Sequence, residues 1–216
     1  MVQDKPRTER PKPAMRERVL DAAERLLGRG AAAFSMRDLA EEAGVSFATP
    51  FNQFGSKAAI MLALSARRID AMSQRLATAA LPDDAGGRVL VAVDVAVEVM
   101  LGAPDVNRAV MAAIGSPGAE PGGVSSNSSA YWTEALGAGA GLAAGTRLVA
   151  IAALPDQLAV AFRGVLSFWT AGEIPAAELT RRARAAAAAV LLGFVERDGR
   201  RELLALLEAA SGASDP

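Results

Sequence analysis

The sequence predicts an all-α protein, with a small N-terminal helix-turn-helix unit of three helices followed by a larger helical domain. Three observations carry this. Apolar residues recur at helical spacing through most of the chain. Ser, Gly and Pro stand where helices begin and end. About half of the 216 residues are apolar, enough to bury a sizeable core.

Residues 1–13, with Pro6, Pro11 and Pro13 and almost no apolar side chains, read as a disordered basic arm. From Ala14 the pattern becomes helical: Val19, Ala22, Ala23, Leu26 and Leu27 share one face, and Gly28 and Gly30 supply the stop. Ser35, three residues before Asp38, predicts a capping box opening a second helix through "MRDLAEEA". Gly44 ends that helix, Val45 plugs the corner, and Ser46 offers a cap for a third. Pro50 limits where the third helix starts, because proline is tolerated only in a first turn, where its missing N–H goes unused. Its cap is therefore Ser46 or Phe47.

Ser56 caps a long fourth helix from Lys57 to about Ala80, and "LPDDAGG" breaks the chain after it. The expected organisation is a helix-turn-helix domain over 14–57, a connecting helix over 58–80 and a C-terminal domain over 81–216. The stretch 89–101 is ambiguous: Val at 89, 91, 93, 95, 97 and 99 has the period of a strand, whereas Asp94 and Glu98 would share a helix face. Pattern alone leans to strand; the helical surroundings decide for helix. A further short helix is expected at "APDVNRAVMAAIG", a Gly/Pro/Ser loop over 116–129, and an Ala/Gly-rich helix with weak points over 130–154. Pro155 is then expected to open a helix ended by Gly172, Pro175 another to about residue 197, and "RRELLALLEAAS" to close the chain.

Composition excludes much chemistry. With no Cys and no His, disulfides, thiolate catalysis, Cys/His zinc sites and histidine-based triads are unavailable, and neither an enzyme, a cofactor nor a metal site is expected. The N-terminus is charged and lacks the apolar core of a signal peptide, so a cytoplasmic location is expected. The longest apolar run, 89–101, carries two acids and falls short of the roughly 20 residues of a membrane span, so no membrane partner is expected. The net charge of −1 hides a local +3 over residues 1–18 against −3 over 58–216. A basic front end suits an anionic partner and is equally a solvated tail.

Three local signals are weak. "GAGLAA" at 139–144 fits a dinucleotide fingerprint, but no strand precedes it. Asp94 and Glu98 form a carboxylate pair that more simply reads as a solvated helix face. "NSS" at Asn127 matters only in a secreted protein.

The frame "AA..L....G....S...LA..AGVS......F.SK", found without gaps in "RVLDAAERLLGRGAAAFSMRDLAEEAGVSFATPFNQFGSKAAIMLAL", resembles the DNA-binding domain of the TetR family of transcription regulators. The resemblance implies that the second helix of the motif enters the DNA major groove. At about 100° per residue, Pro50 and Phe54 fall on one narrow face that should pack inward, with Ala48 and Asn52 nearly opposite. By matching position, the resemblance assigns DNA contact to Arg37, Phe47, Ala48, Thr49, Phe51 and Asn52, with the preceding cap Ser46, while Lys57, beside a helix N-terminus, fits a phosphate contact through its charge and the local amides. Arg37 would pair a guanine or a phosphate, Asn52 an adenine, Phe47 and Ala48 a thymine methyl, and Lys57 a phosphate. Two departures stand out: the family commonly has Tyr in place of Phe51 and a bulky aliphatic residue in place of Pro50.

The resemblance further implies that the C-terminal domain binds a small effector and forms a homodimer through its last two long helices, 155–172 and 175–197, giving a palindromic double-stranded DNA operator. Effector-pocket walls are expected from Met100, Met111, Trp132 and Phe162, and an apolar or amphipathic effector that releases a repressor from DNA. The alternatives are a small-molecule-binding protein of the same fold with weak or lost DNA binding and, least favoured, an enzyme.

Overall fold

The computed structural model describes residues 14–116 and 123–211. The predicted arm over 1–13 lies outside them. Among the described residues the elements are helical: α1 (Met15–Gly28), α2 (Met36–Ala43), α3 (Ala48–Phe54), α4 (Lys57–Leu76), α5 (Ala85–Leu101), α6 (Pro104–Ile114), α7 (Val124–Leu136), α8 (Arg147–Thr170), α9 (Ala176–Leu191) and α10 (Arg197–Ser211). They form two compact units that meet in sequence between Ile60 and Met61, within the continuous helix α4.

In the first unit, α1 packs on α2 and α2 on α3 around Val19, Ala23, Leu27, Leu39 and Pro50, all buried. The capping box forms in full: the Asp38 N–H donates to Ser35 Oγ at 3.2 Å and the Ser35 N–H to Asp38 Oδ2 at 2.8 Å. Those bonds hold the Asp38 carboxyl below the usual range, the Ser35 backbone bond foremost. Glu42 ties α2 to α1 by accepting from Arg25 at 2.6 Å and from Arg29. Gly44 adopts the left-handed conformation at φ 62°, and the Val45 N–H reaches back to the Ala40 carbonyl at 3.0 Å, closing α2 as a Schellman turn. The Arg18 guanidinium then donates to the carbonyls of Ala43 and Gly44 at 2.9 and 3.0 Å, so the corner is braced from α1.

In the second unit, α5 packs on α7 and α9, and α8 packs on α7 and α9. Trp132, Leu154, Leu158, Trp169 and Leu179 are buried between them. The helix chosen for 89–101 is observed, and burial shows why its valines mislead. Its less buried positions are Gly87, Arg88, Val91, Asp94, Val95, Glu98 and Leu101, one stripe at helical spacing, and the rest of α5 faces the core. Valine at both buried and flanking positions produces an alternation without strand geometry.

Several boundaries differ from expectation: α4 ends at Leu76, short of Ala80, and the helix expected over 130–154 is broken by the non-helical residues 137–146. Helix α7 begins at Val124, so the later half of the expected 116–129 loop is helical; residues 117–122 lie outside the described part. Helix α8 begins at Arg147, eight residues before Pro155, which sits buried inside it. A proline interrupts one backbone bond but does not force an end when its ring is packed in a core; burial here outweighs the local rule. Helix α9 begins after Pro175 as expected but ends at Leu191, and α10 starts at Arg197.

Helix α8 is also long and apolar enough to cross a membrane. Here one face of it, with Leu154, Leu158, Phe162, Leu166 and Trp169, is buried in the core. The glycines of "GAGLAA" serve packing. Gly139 and Gly141 have φ of 72° and 75°, and a Cβ on either would stand 2.9 Å from Leu142 and 3.0 Å from Asp84 respectively. The segment joins α7 to α8 rather than opening a strand-to-helix phosphate loop. Asp94 pairs with Arg184 of α9 at 2.6 Å, while Glu98 is exposed, so the two carboxylates do not act together.

Candidate functional site

Helix α3 is positioned from three sides. Its cap is Phe47, the later of the two predicted positions, which leaves Pro50 in the first turn where no N–H is needed. The Ser46 and Thr49 hydroxyls share a hydrogen bond at 2.8 Å across that first turn. Pro50 is buried beneath the helix. Phe54 is only half-buried, with the Arg16 guanidinium 4.4 Å from its ring centre, so it seals the edge of the unit rather than filling its core.

The opposite side is open. Phe47 is 54 % exposed and Phe51 is 42 % exposed, and their rings meet edge to face at 5.5 Å. The Arg37 guanidinium lies 5.6 Å from the Phe47 ring, joining α2 to the same patch. Ala48, Asn52 and Gln53 are also exposed. The structure thus gathers Arg37, Ser46, Phe47, Ala48, Phe51 and Asn52 on one surface, with Thr49 half-buried and its hydroxyl engaged by Ser46. Gln53 escaped the sequence reading; its side-chain amide on an exposed α3 position has the donor and acceptor pair that matches adenine.

Lys57 is placed differently from the expectation. Its ammonium points into the first unit, donating to the carbonyls of Ala32 at 2.7 Å and Phe34 at 2.8 Å, and stands 4.1 Å from the Phe34 ring. Partial burial lowers its pKa, opposed by the nearby Asp38 carboxylate. A cation committed to two carbonyls is first of all an anchor for the loop between α1 and α2. Lys57→Met is expected to lower the stability of the first unit by about 1–3 kcal/mol, read as a shift in thermal unfolding. A fall of about one in the salt slope of DNA binding, with unfolding unchanged, would instead make Lys57 a phosphate ligand.

The second unit contains a cavity of about 60 Å³ among α4, α5, α6, α7 and α8. All four residues expected as pocket walls, Met100, Met111, Trp132 and Phe162, line it. Trp132 packs edge-on against Phe162 at 5.5 Å and against Tyr131 at 5.0 Å. The Tyr131 hydroxyl donates to the Ala92 carbonyl at 2.7 Å, and burial raises its pKa, so the phenol stays neutral. Two cationic side chains, Arg68 and Arg163, also line the space and were not anticipated. Arg68 donates through Nε to Asn107 Oδ1 at 2.7 Å, and buried Asn107 donates to the carbonyls of Val99 and Met100 at 3.2 and 2.8 Å. In sequence each of these arginines is one more helix charge, and nothing local separates a cavity arginine from a solvated one.

Residues 19–64 match the profile of the family described as "Bacterial regulatory proteins, tetR family". The fold is similar to that of a TetR transcriptional regulator from Rhodococcus sp. RHA1, with a TM-score of 0.64 at 20 % identity over 82 % of this chain and 96 % of that one. A protein of unknown function from the same organism gives 0.55 at 21 % identity, over 88 % and 100 % of the two chains. The TetR family protein CprB from S. coelicolor A3(2) gives 0.52 at 17 % identity, over 93 % and 99 %. No curated protein matches the sequence.

Proposed function

We propose that this chain, whose residues 19–64 are a TetR-family DNA-binding domain on an all-helical fold shared with regulators of that family, is a cytoplasmic transcriptional repressor. It binds a palindromic operator as a homodimer and leaves it when a small apolar or amphipathic effector occupies the cavity of the second unit. The observation that carries the DNA-binding part is the seating of α3. A braced left-handed turn at Gly44 and a buried Pro50 fix the helix, so that Phe47, Phe51, Asn52 and Arg37 face outward together.

The dimer reading is supported by α8. Val160 and Phe168 are exposed at 59 % and 53 %, and between them Gly164 has open space where a Cβ would be. An apolar stripe with a small residue at its middle suits close approach of a second helix. Twofold symmetry then presents two copies of α3 to successive major-groove faces. The cavity supports effector control by its size. About 60 Å³ is under half of the about 150 Å³ that holds benzene in an apolar cavity, so a larger effector requires the surrounding helices to shift. Binding that favours the shifted state draws the population away from the DNA-bound one.

One observation favours a second reading, a small-molecule-binding protein of this fold with weak DNA affinity. Helix α3 has no Lys or Arg, and Phe51 has no phenol to offer a phosphate. Footprinting on the DNA upstream of its own gene, repeated from low to moderate salt, separates the two. The repressor reading expects protection of a palindrome, lost steeply as salt rises. Absence of protection at low salt overturns it in favour of the second.

A further inference from the structure

Arg163 lies on α8 and lines the cavity, yet its hydrogen-bond partner there is a thioether, Met111 Sδ, at 3.5 Å from Nη1. Thioether sulfur is a weak acceptor. Among the described residues no carboxylate pairs with it. Burial lowers its pKa. Placing a guanidinium in such surroundings is costly unless an anion completes it.

A second donor on the same wall is also incomplete. The indole N–H of Trp132, itself 1 % exposed, is buried without an acceptor among the described residues. Arg68 adds another guanidinium, oriented by Asn107. The polar groups of the lining are therefore biased to donors, and the remaining wall, with Met72, Met100, Val110, Phe162 and Leu166, is apolar. A wider groove of about 290 Å³, bordered by Ile114 and Val160, shares Val124, Ser128, Ala159 and Arg163 with the cavity. Arg163 stands where the two spaces meet, so a ligand held by it has an aromatic-lined space on one side and an apolar groove on the other.

We propose that the effector is an organic anion, a carboxylate with an extended apolar body, and that Arg163 holds its charged group. This rests on the cavity being the effector site. The carboxylate supplies the acceptor that Arg163 lacks among the described residues, and the apolar body fills the cavity or the groove. Among the described residues the charged lining is cationic, which suits a metal ion or a cationic amphiphile less than an anion.

The test uses the full-length protein and two matched probes, octanoate and 1-octanol, titrated by calorimetry and by tryptophan fluorescence. The wild type is expected to bind octanoate about tenfold or more tightly than octanol, from one charge-assisted hydrogen-bonded pair. Arg163→Met is expected to remove that preference while keeping octanol affinity, which also reports that the cavity is folded. Arg163→Lys is expected to retain part of it. Equal binding of the two probes by the wild type overturns the anion assignment and leaves the cavity as an apolar site. A preference that survives Arg163→Met but disappears in Arg68→Met overturns the role of Arg163. Binding of neither probe overturns both the anion assignment and the effector-site reading.

Discussion

Phe168→Glu is expected to convert the protein to a monomer, seen by sedimentation equilibrium, with operator affinity falling by two orders of magnitude or more. The side chain is 53 % exposed within one chain, so a glutamate there should change the unfolding free energy of the protomer by less than about 1 kcal/mol. In the proposed dimer the same position is covered by the partner. A carboxylate must then be buried without a compensating cation, at several kcal/mol for each of two symmetric copies. Loss of the dimer separates the two recognition helices, and each monomer retains only one half-site. A variant that sediments as the wild type does would move the interface away from the Val160, Gly164 and Phe168 stripe.

Phe47→Ala is expected to relax operator preference with little loss of stability. Phe47 is 54 % exposed, and its contacts are the edge of Phe51 and the Arg37 guanidinium. Losing an exposed aromatic pair costs on the order of 0.5–1 kcal/mol, whereas losing an apolar base contact costs about 1–3 kcal/mol at the cognate site. Binding to nonspecific DNA rests on phosphate contacts and should hardly change. The measurement is a pair of titrations at one salt concentration, on operator and on scrambled duplex. Equal weakening on both would show that Phe47 supports the backbone-contacting geometry without reading sequence. Arg37 stacks on this ring, so an Arg37→Ala, Phe47→Ala double-mutant cycle should show coupling between the two.

The first unit was legible because its determinants are local. The capping pair Ser35 and Asp38, the left-handed Gly44 and the proline limit on α3 each act within a few residues, and all appear at their predicted places. The all-α class followed from the same kind of signal. Where a local rule misled, a distant contact had overruled it. Pro155 is carried inside α8 because its surroundings are core, and the valine alternation of α5 is a by-product of a helix buried on nearly every side.

Lys57 and Arg163 show the limit most clearly. Both are cations whose sequence neighbourhood suggests solvent or phosphate. The tertiary structure turns one onto the carbonyls of Ala32 and Phe34, and brings the other to a cavity wall beside Met111. The sequence by itself determined the helices of the first unit and the face that α3 turns outward, since periodicity and capping are properties of neighbours along the chain; the apolar candidates for the cavity wall followed from the family resemblance. Only the tertiary structure decided which charges are committed inward and which side chains share one cavity. Those outcomes depend on desolvation and on partners 23 to 52 residues away, which no local pattern records.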